Sequence, residues 1–170
     1  ELAVEAVNRG FRKIVVVGGD GTIHEVVNGL FIQKTAPTTD VLLSVIAVGT
    51  GNDWIRMFGI PRKYSEAIRA IVEGHSFLQD VGVLSYYKAN YKQTRYMANV
   101  AGVGFDAFVN RKYNHLKEEG RRGKWLYLWS TLKAVLRYSS TGVKVYVDDE
   151  LVVNDLVYSA TIGIGRYNGG

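Results

Sequence analysis

Two short clusters in this chain carry residue types and spacings that could do chemistry. The first is Gly18-Gly19-Asp20-Gly21-Thr22 and the second is Gly49-Thr50-Gly51-Asn52-Asp53. Glycines let an anion approach the main chain, and the free N–H groups at the start of a helix then make a phosphate site. The same residues have a plainer use, because glycines suit tight turns and aspartate suits helix caps. Two features favour a phosphate held at Gly18 to Thr22. Both clusters follow an apolar run, and both bring small residues and an aspartate to its end. Neither is a Walker-type loop, since Gly-x-x-x-x-Gly-Lys-Ser/Thr is absent, and the first turn lacks Gly-x-Gly-x-x-Gly.

The elements that would position these clusters are legible around them. Ile14-Val15-Val16-Val17 reads as a strand buried on both faces of a parallel sheet. A helix opens at Thr22, with Ile23, Val26, Val27 and Leu30 on one face at spacings of three, four and seven. Leu42 to Val48 is a second buried strand, so both clusters fall at the carboxyl edge of a sheet, where open α/β sheets bind ligands. An earlier helix ends at Gly10 as its C′ residue, and Gln33 to Asp40 is a connection. Trp54 to Phe58 makes one or two helical turns closed by Gly59 and Pro61. Ser65 is expected to cap a further helix, with Ala67, Ile68, Ile71 and Val72 inward and Gly74 at its end.

From Asp80 tyrosines, lysines and alternating patterns replace the aliphatic runs. A boundary in the region Gly74 to Asp80 gives two domains, 1–78 and 79–170. Tyr96 to Val100 reads as a strand, and Gly102-Val103-Gly104 turns it into a helix near Phe105. Lys117 to Lys124 is a charged loop, and Trp125, Leu128, Trp129, Leu132 and Val135 mark an amphipathic helix. Val143, Val145 and Val147 alternate with polar partners, Asp148-Asp149 turns, Leu151 to Val153 pairs back, and Asp155 to Ile164 is a last strand. The chain starts inside a helical pattern at Glu1 and stops in a loop at Gly169-Gly170, so a fragment cut at both ends is expected.

Composition narrows the classes. With 170 residues and 47% hydrophobic content the chain builds a real core, which excludes disorder. A net charge of +5 suits an anionic partner: nucleic acid, an acidic membrane surface or a nucleotide. The absence of cysteine excludes disulfides, thiolate metal sites and a cysteine nucleophile. No signal peptide and no long uncharged apolar span is visible, so a soluble or peripheral protein without a transmembrane segment is expected.

Val17 to Val26, Val48 to Asp53 and Phe58-Gly59-Ile60-Pro61 together resemble the diacylglycerol kinase catalytic-domain family of lipid kinases, in its bacterial-type branch related to the sphingosine kinases. The likeness extends through Gln79-Asp80-Val81-Gly82, Asn99 to Ala107 and Gly165 to Gly170. The first motif alone is shared with NAD kinases; both turns in order, with the Asn99 segment, are far more specific. The resemblance implies an α/β nucleotide-binding domain with a parallel sheet, then a β-rich, sandwich-like lipid-binding domain, and ATP with Mg²⁺ as cofactors. It implies that Gly18, Gly19, Gly21 and Thr22 hold ATP phosphates, and that Gly49, Thr50 and Asn52 line the nucleotide site. Asp20 and Asp53 would form the essential acidic pair, with Asp20 as the metal-linked carboxylate or the base. Those roles suit phosphoryl transfer, which is mostly positioning and charge neutralisation.

The sequence departs from the family pattern at His24 and Ile164, where asparagine is usual. The family's opening strand would lie upstream of Glu1, and its late acidic motif, a candidate general base, beyond Gly170. The fragment by itself is therefore expected to be inactive. Glu25 points either to the nucleotide or to solvent. His24 reads as a helix-surface residue, and Asn99 as a bridge between strands. Trp125 and Trp129 read as a core stripe, yet Arg121, Arg122 and Lys124 beside them are candidates for facing an anionic leaflet. The implied activity is ATP-dependent phosphorylation of the hydroxyl of diacylglycerol or a related lipid, by a cytoplasmic protein at the inner face of the membrane. A homodimer is left open. The alternatives are a soluble-substrate kinase of the NAD kinase type and a non-catalytic nucleotide- or lipid-binding module. Nucleic acid is set aside, because the basic residues do not alternate with aromatics on one sheet face.

Overall fold

The structure is a computed structural model and describes residues 1–49, 51–105, 107–108 and 138–168. It divides into two compact units, residues 1–100 with 163–170 and residues 101–162. The boundary between these units does not coincide with the change of character at Gly74 to Asp80. The chain passes into an antiparallel hairpin just after that point but stays in the first unit.

The first unit opens with α1 (Leu2–Asn8), which closes as expected at Gly10. Gly10 takes φ +94, its N–H bonds Val7 O and the Phe11 N–H bonds Ala6 O, the double closure that a left-handed glycine permits. Strand β1 (Lys13–Gly18) leads into α2 (Asp20–Ile32), and after a 3₁₀ turn at Thr38–Asp40 the strand β2 (Leu42–Ala47) lies parallel to β1. Their register sets Val16 against Val45 and Gly18 against Ala47, so the two strands end level. Helix α2 starts two residues earlier than the hydrophobic spacing suggested. Gly19 is its extended N-cap, and the Gly19 carbonyl accepts from Thr22 and Ile23.

One face of this sheet carries the core. Val16, Val45 and Ala47 pack with Ile23 and Val27 of α2 and with Trp54 and Ile55 of α3 (Asp53–Met57). Burial at about 25 cal/mol per Å² of apolar surface makes such a layer the main source of stability. A second cluster joins Ala3 and Val7 to Leu30 and Val41. Gly29 allows that approach, since a Cβ there would stand 2.9 Å from Ala3 Cβ. The expectation that β1 is buried on both faces is corrected. Val15 and Val17 are 49% and 62% exposed, since they alternate with Val16, which points into the core against α2 and α3.

Helix α4 (Tyr64–Glu73) ends at Gly74, φ +75, as read from the sequence. Its start is different: Lys63 is the N-cap without a side-chain hydrogen bond, and Ser65 lies within the first turn. Only Ala67 of its expected inner face is buried, while Ile68 and Val72 are exposed. Strands β3 (Gly82–Lys88) and β4 (Tyr91–Met97) form an antiparallel hairpin turned by Ala89 and Asn90, both at positive φ.

Strand β5 (Val100–Gly104) includes Gly102 and Val103, so the strand read from Tyr96 to Val100 is in fact interrupted at Ala98-Asn99. The second unit holds the antiparallel hairpin of β6 (Thr141–Val147) and β7 (Glu150–Val157), turned at Asp148-Asp149 as expected. The long strand expected from Asp155 to Ile164 is two strands. Its first residues complete β7, and β8 (Ser159–Gly163) pairs with β5. Among the described residues the chain is thus α/β in its first part and β-rich afterwards. Among the described residues no helix is long and apolar enough to cross a membrane. The charged loop at 117–124, with Arg121, Arg122 and Lys124, and the helix expected from Trp125 lie outside the described residues.

Candidate nucleotide site

The parallel register delivers both glycine clusters to one edge. Val48 N–H bonds Gly18 O at 3.0 Å, which holds the two strand ends together as the chain leaves the sheet. Beyond that bond the turns approach until only glycine fits. A Cβ on Gly49 would lie 3.2 Å from Gly19 Cα and 2.8 Å from Asn52 Oδ1. A Cβ on Gly18 would meet the Thr22 side chain at 2.5 to 2.9 Å, so Gly18 is what lets Thr22 fold back over the turn. Gly21 faces open space.

Asp20 joins the turns. Its Oδ2 accepts from Asp53 N–H at 3.1 Å and its Oδ1 from Trp54 N–H at 2.9 Å. These are the first N–H groups of α3, which otherwise has no side-chain cap. Asn52 precedes them in the left-handed region at φ +58, where asparagine is tolerated better than most residues. Its Nδ2 donates to Gly49 O at 2.8 Å, and its Oδ1 is buried with no hydrogen-bond partner among the described residues. Asn52 and Asp53 are both buried polar residues. Arg62 Nη2 donates to Gly51 O at 2.9 Å, bracing the second turn from outside. A hollow of about 300 Å³ opens beside it, lined by Val48, Gly49, Asn52, Arg62, Lys63 and Tyr64.

Gly18, Gly19, Asp20, Gly21, Thr22, Gly49, Asn52 and Asp53 are therefore brought together, and Thr50 lies outside the described residues. Glu25 is turned elsewhere: it is exposed, and Arg95 Nη2 of β4 donates to its Oε1 at 3.4 Å. His24 is partly buried on α2. Burial holds its pKa below the ordinary histidine value, with Glu25 opposing and Arg95 adding to that effect. Asn99 bridges through its main chain, whose carbonyl accepts from Ile164 at 2.9 Å and Gly165 at 3.0 Å. Ile164 packs toward Gly82, where a Cβ would stand 3.3 Å from Ile164 Cδ1.

Four supporting residues were given no role from the sequence, although Gln79 falls in the quoted Gln79-Asp80-Val81-Gly82 motif. Arg62 and Gln79 are two, the latter accepting from Trp54 Nε1 at 3.0 Å and donating to Ala98 O. Asn28 is the third. Its Nδ2 donates to Tyr96 O at 2.8 Å and its Oδ1 accepts from Tyr96 N–H at 3.0 Å, which fixes β4 to α2. The fourth is Arg56, whose guanidinium lies 4.2 Å from the Tyr167 ring centre. A buried asparagine in an otherwise apolar helix face was the one available signal for Asn28.

Residues 1–84 match the family described as the diacylglycerol kinase catalytic domain. Over those residues the chain is similar to that family. Its relatives include a diacylglycerol kinase of Bacillus subtilis (strain 168), 41% identical over 103 residues, which covers 60% of this chain and 30% of the relative. A diacylglycerol kinase of Mycobacterium tuberculosis (strain ATCC 25618 / H37Rv) is 30% identical over 171 aligned positions, covering 99% of this chain and 52% of the relative. A crystal structure of a diacylglycerol kinase from Bacillus anthracis str. Sterne superposes with a TM-score of 0.62 at 27% identity, covering 97% of this chain and 50% of that one. The chain thus spans about half the length of these last two relatives. In family terms the two glycine turns lie within the matched catalytic domain.

Proposed function

We propose that the complete protein is an ATP-dependent lipid kinase that phosphorylates the hydroxyl of diacylglycerol or a related lipid, with residues 1–78 supplying the nucleotide half. The observation that carries this reading is the union of the two glycine turns by Asp20, which forms one cradle from two strand ends.

The residues present fit a nucleotide and its metal. Gly18, Gly19, Gly21 and Gly49 leave main chain open to phosphate oxygens, and the N-termini of α2 and α3 both favour negative charge. The unpartnered Asn52 Oδ1 accepts a donor from the nucleotide. Mg²⁺ keeps several waters and takes only one or two carboxylates beside phosphate oxygens. Asp20 suits that role, because each of its oxygens retains a lone pair after capping α3. When bound, the ion neutralises charge on the transferring phosphoryl group. Asp53, next to Asp20 on α3, completes the acidic pair. Thr22 lies over the first turn within reach of the same phosphates. A lipid acceptor places the reaction at the cytoplasmic surface of a membrane.

The test is transfer of labelled γ-phosphate by the complete protein to dispersed diacylglycerol, with NAD as the competing acceptor. Label in the lipid fraction supports the proposal. Label in NAD alone, or none in either with a folded protein, overturns it.

A further inference from the structure

The hairpin of β3 and β4 is firmly held at its base and bare at its tip. At the base Met97 is buried, Asn28 bonds both main-chain groups of Tyr96, and the Phe31 ring stacks on Tyr96 with centroids 4.7 Å apart. Every residue from Ser85 to Thr94 is exposed. A two-stranded ribbon in water gains little from large rings at its end, yet this one carries Tyr86, Tyr87 and Tyr91, the last two 76% and 74% exposed. Its charges are all of one sign, Lys88 and Lys92, with no acidic residue between Ser85 and Thr94.

The pairing register decides how these groups are arranged. Tyr87 faces Lys92 across the strands, and Lys88 faces Tyr91. Successive residues alternate sides, so Tyr87 and Lys92 share one face of the tip while Tyr86, Lys88 and Tyr91 share the other, and each face bears tyrosine beside lysine. A platform for stacking bases would gather its rings on a single face. A tip clothed all round suits immersion in a layered medium, with amphipathic rings at headgroup depth and ammonium groups at the phosphates. The hairpin of β6 and β7 makes the contrast, because Asp148, Asp149 and Glu150 at its turn suit no anionic surface.

We infer that the β3–β4 hairpin is a membrane-docking arm whose tip, Tyr86 to Lys92, inserts into the interface of an anionic phospholipid bilayer. Docking there is a property of the hairpin's own chemistry, and it is measured without nucleotide, so it stands or falls separately from the lipid kinase reading.

The experiment is sedimentation of the complete protein with vesicles of phosphatidylcholine alone or mixed with phosphatidylglycerol. Binding is expected to prefer the anionic vesicles and to weaken as salt rises. Lys88→Ala with Lys92→Ala should lower the partition coefficient about 30-fold, two attractions of about 1 kcal/mol each at 1.4 kcal/mol per tenfold. Tyr87→Trp should add an emission, relative to the parent, that shifts to the blue on anionic vesicles only. The tip is exposed, so these variants keep the parent's circular dichroism. Equal binding of the lysine double variant and the parent would overturn the proposal. So would an unshifted added emission from the Tyr87→Trp variant on vesicles that bind the protein. An emission change driven instead by a single-stranded oligonucleotide, or by a second copy of the chain, would overturn it as well.

Discussion

The carboxylate of Asp20, in the first turn of α2, accepts hydrogen bonds from the main-chain N–H groups of Asp53 and Trp54, at 3.1 and 2.9 Å, in the first turn of α3. A cap is normally supplied by the residue just before its helix. Here it comes from another strand-turn unit, so the side chain that caps α3 also sets the distance between the two glycine turns. The negative charge lies where both helix dipoles favour it.

Replacing Asp20 by asparagine keeps its shape but removes one acceptor, so one of the two N–H groups faces an amide donor. The expected cost is about 1–2 kcal/mol of stability, read by urea denaturation of the complete protein. Turnover should fall about 100-fold or more, because small displacements of a phosphate cradle are expensive. Unchanged stability with lost turnover would make Asp20 a purely chemical group, and the bridging role would be wrong.

Gly49→Ala tests the close approach of the turns. Its Cβ would stand 3.2 Å from Gly19 Cα, so the turns must separate. Binding to the native state stabilises by about 2.7 kcal/mol when ligand is at a hundredfold its Kd, and this protection by ATP should disappear in the variant. Gly21→Ala is the informative partner, since its Cβ meets open space. That variant should fold as the parent does, and a loss of ATP protection there reports contact with the ligand itself. A Gly49→Ala protein that ATP still protects would show that the cradle tolerates a wider gap.

Much of this candidate site was legible because two clusters of glycine and aspartate each follow an apolar run, a repetition that turns and caps alone do not require. The βαβ order, the closing glycines at 10 and 74 and the Asp148-Asp149 turn all follow from local chemistry. Helix starts were less legible. Gly19 and Lys63 cap without side-chain bonds, so Thr22 and Ser65 drew attention that belonged two residues earlier. The capping role of Asp20 was invisible for another reason: its partners lie 33 and 34 positions away, and only the parallel register brings them near. Glu25 shows the limit of helical phase, which could not tell the nucleotide side from the β4 side where Arg95 holds it.

Asn28→Ala should be among the more destabilising substitutions in the first unit. It removes the acceptor of Tyr96 N–H and the donor to Tyr96 O, and leaves both main-chain groups beside a void. Unsatisfied buried groups cost about 1–3 kcal/mol each, so a loss near 3 kcal/mol is expected by chemical denaturation. Asn28→Asp should also destabilise, because a carboxylate cannot donate to Tyr96 O or to His24 O. A loss below about 1 kcal/mol for alanine would mean that β4 is held by the Phe31–Tyr96 stack instead.

His24 gives the first unit a pH dependence of known sign. Burial is the main cause of its lowered pKa, and Arg95 adds to it against Glu25. The folded protein therefore binds the proton more weakly than the unfolded chain, whose histidine titrates near the ordinary value of 6.5. Stability from this source is complete above that value. It declines as pH falls below it and levels off once the folded-state pKa is passed. Replacing His24 by glutamine, which stays neutral, should flatten the stability curve across that acid window while leaving the alkaline side unchanged. The measurement is a set of urea midpoints for parent and variant through the window. Parallel curves would assign the acid sensitivity to other groups.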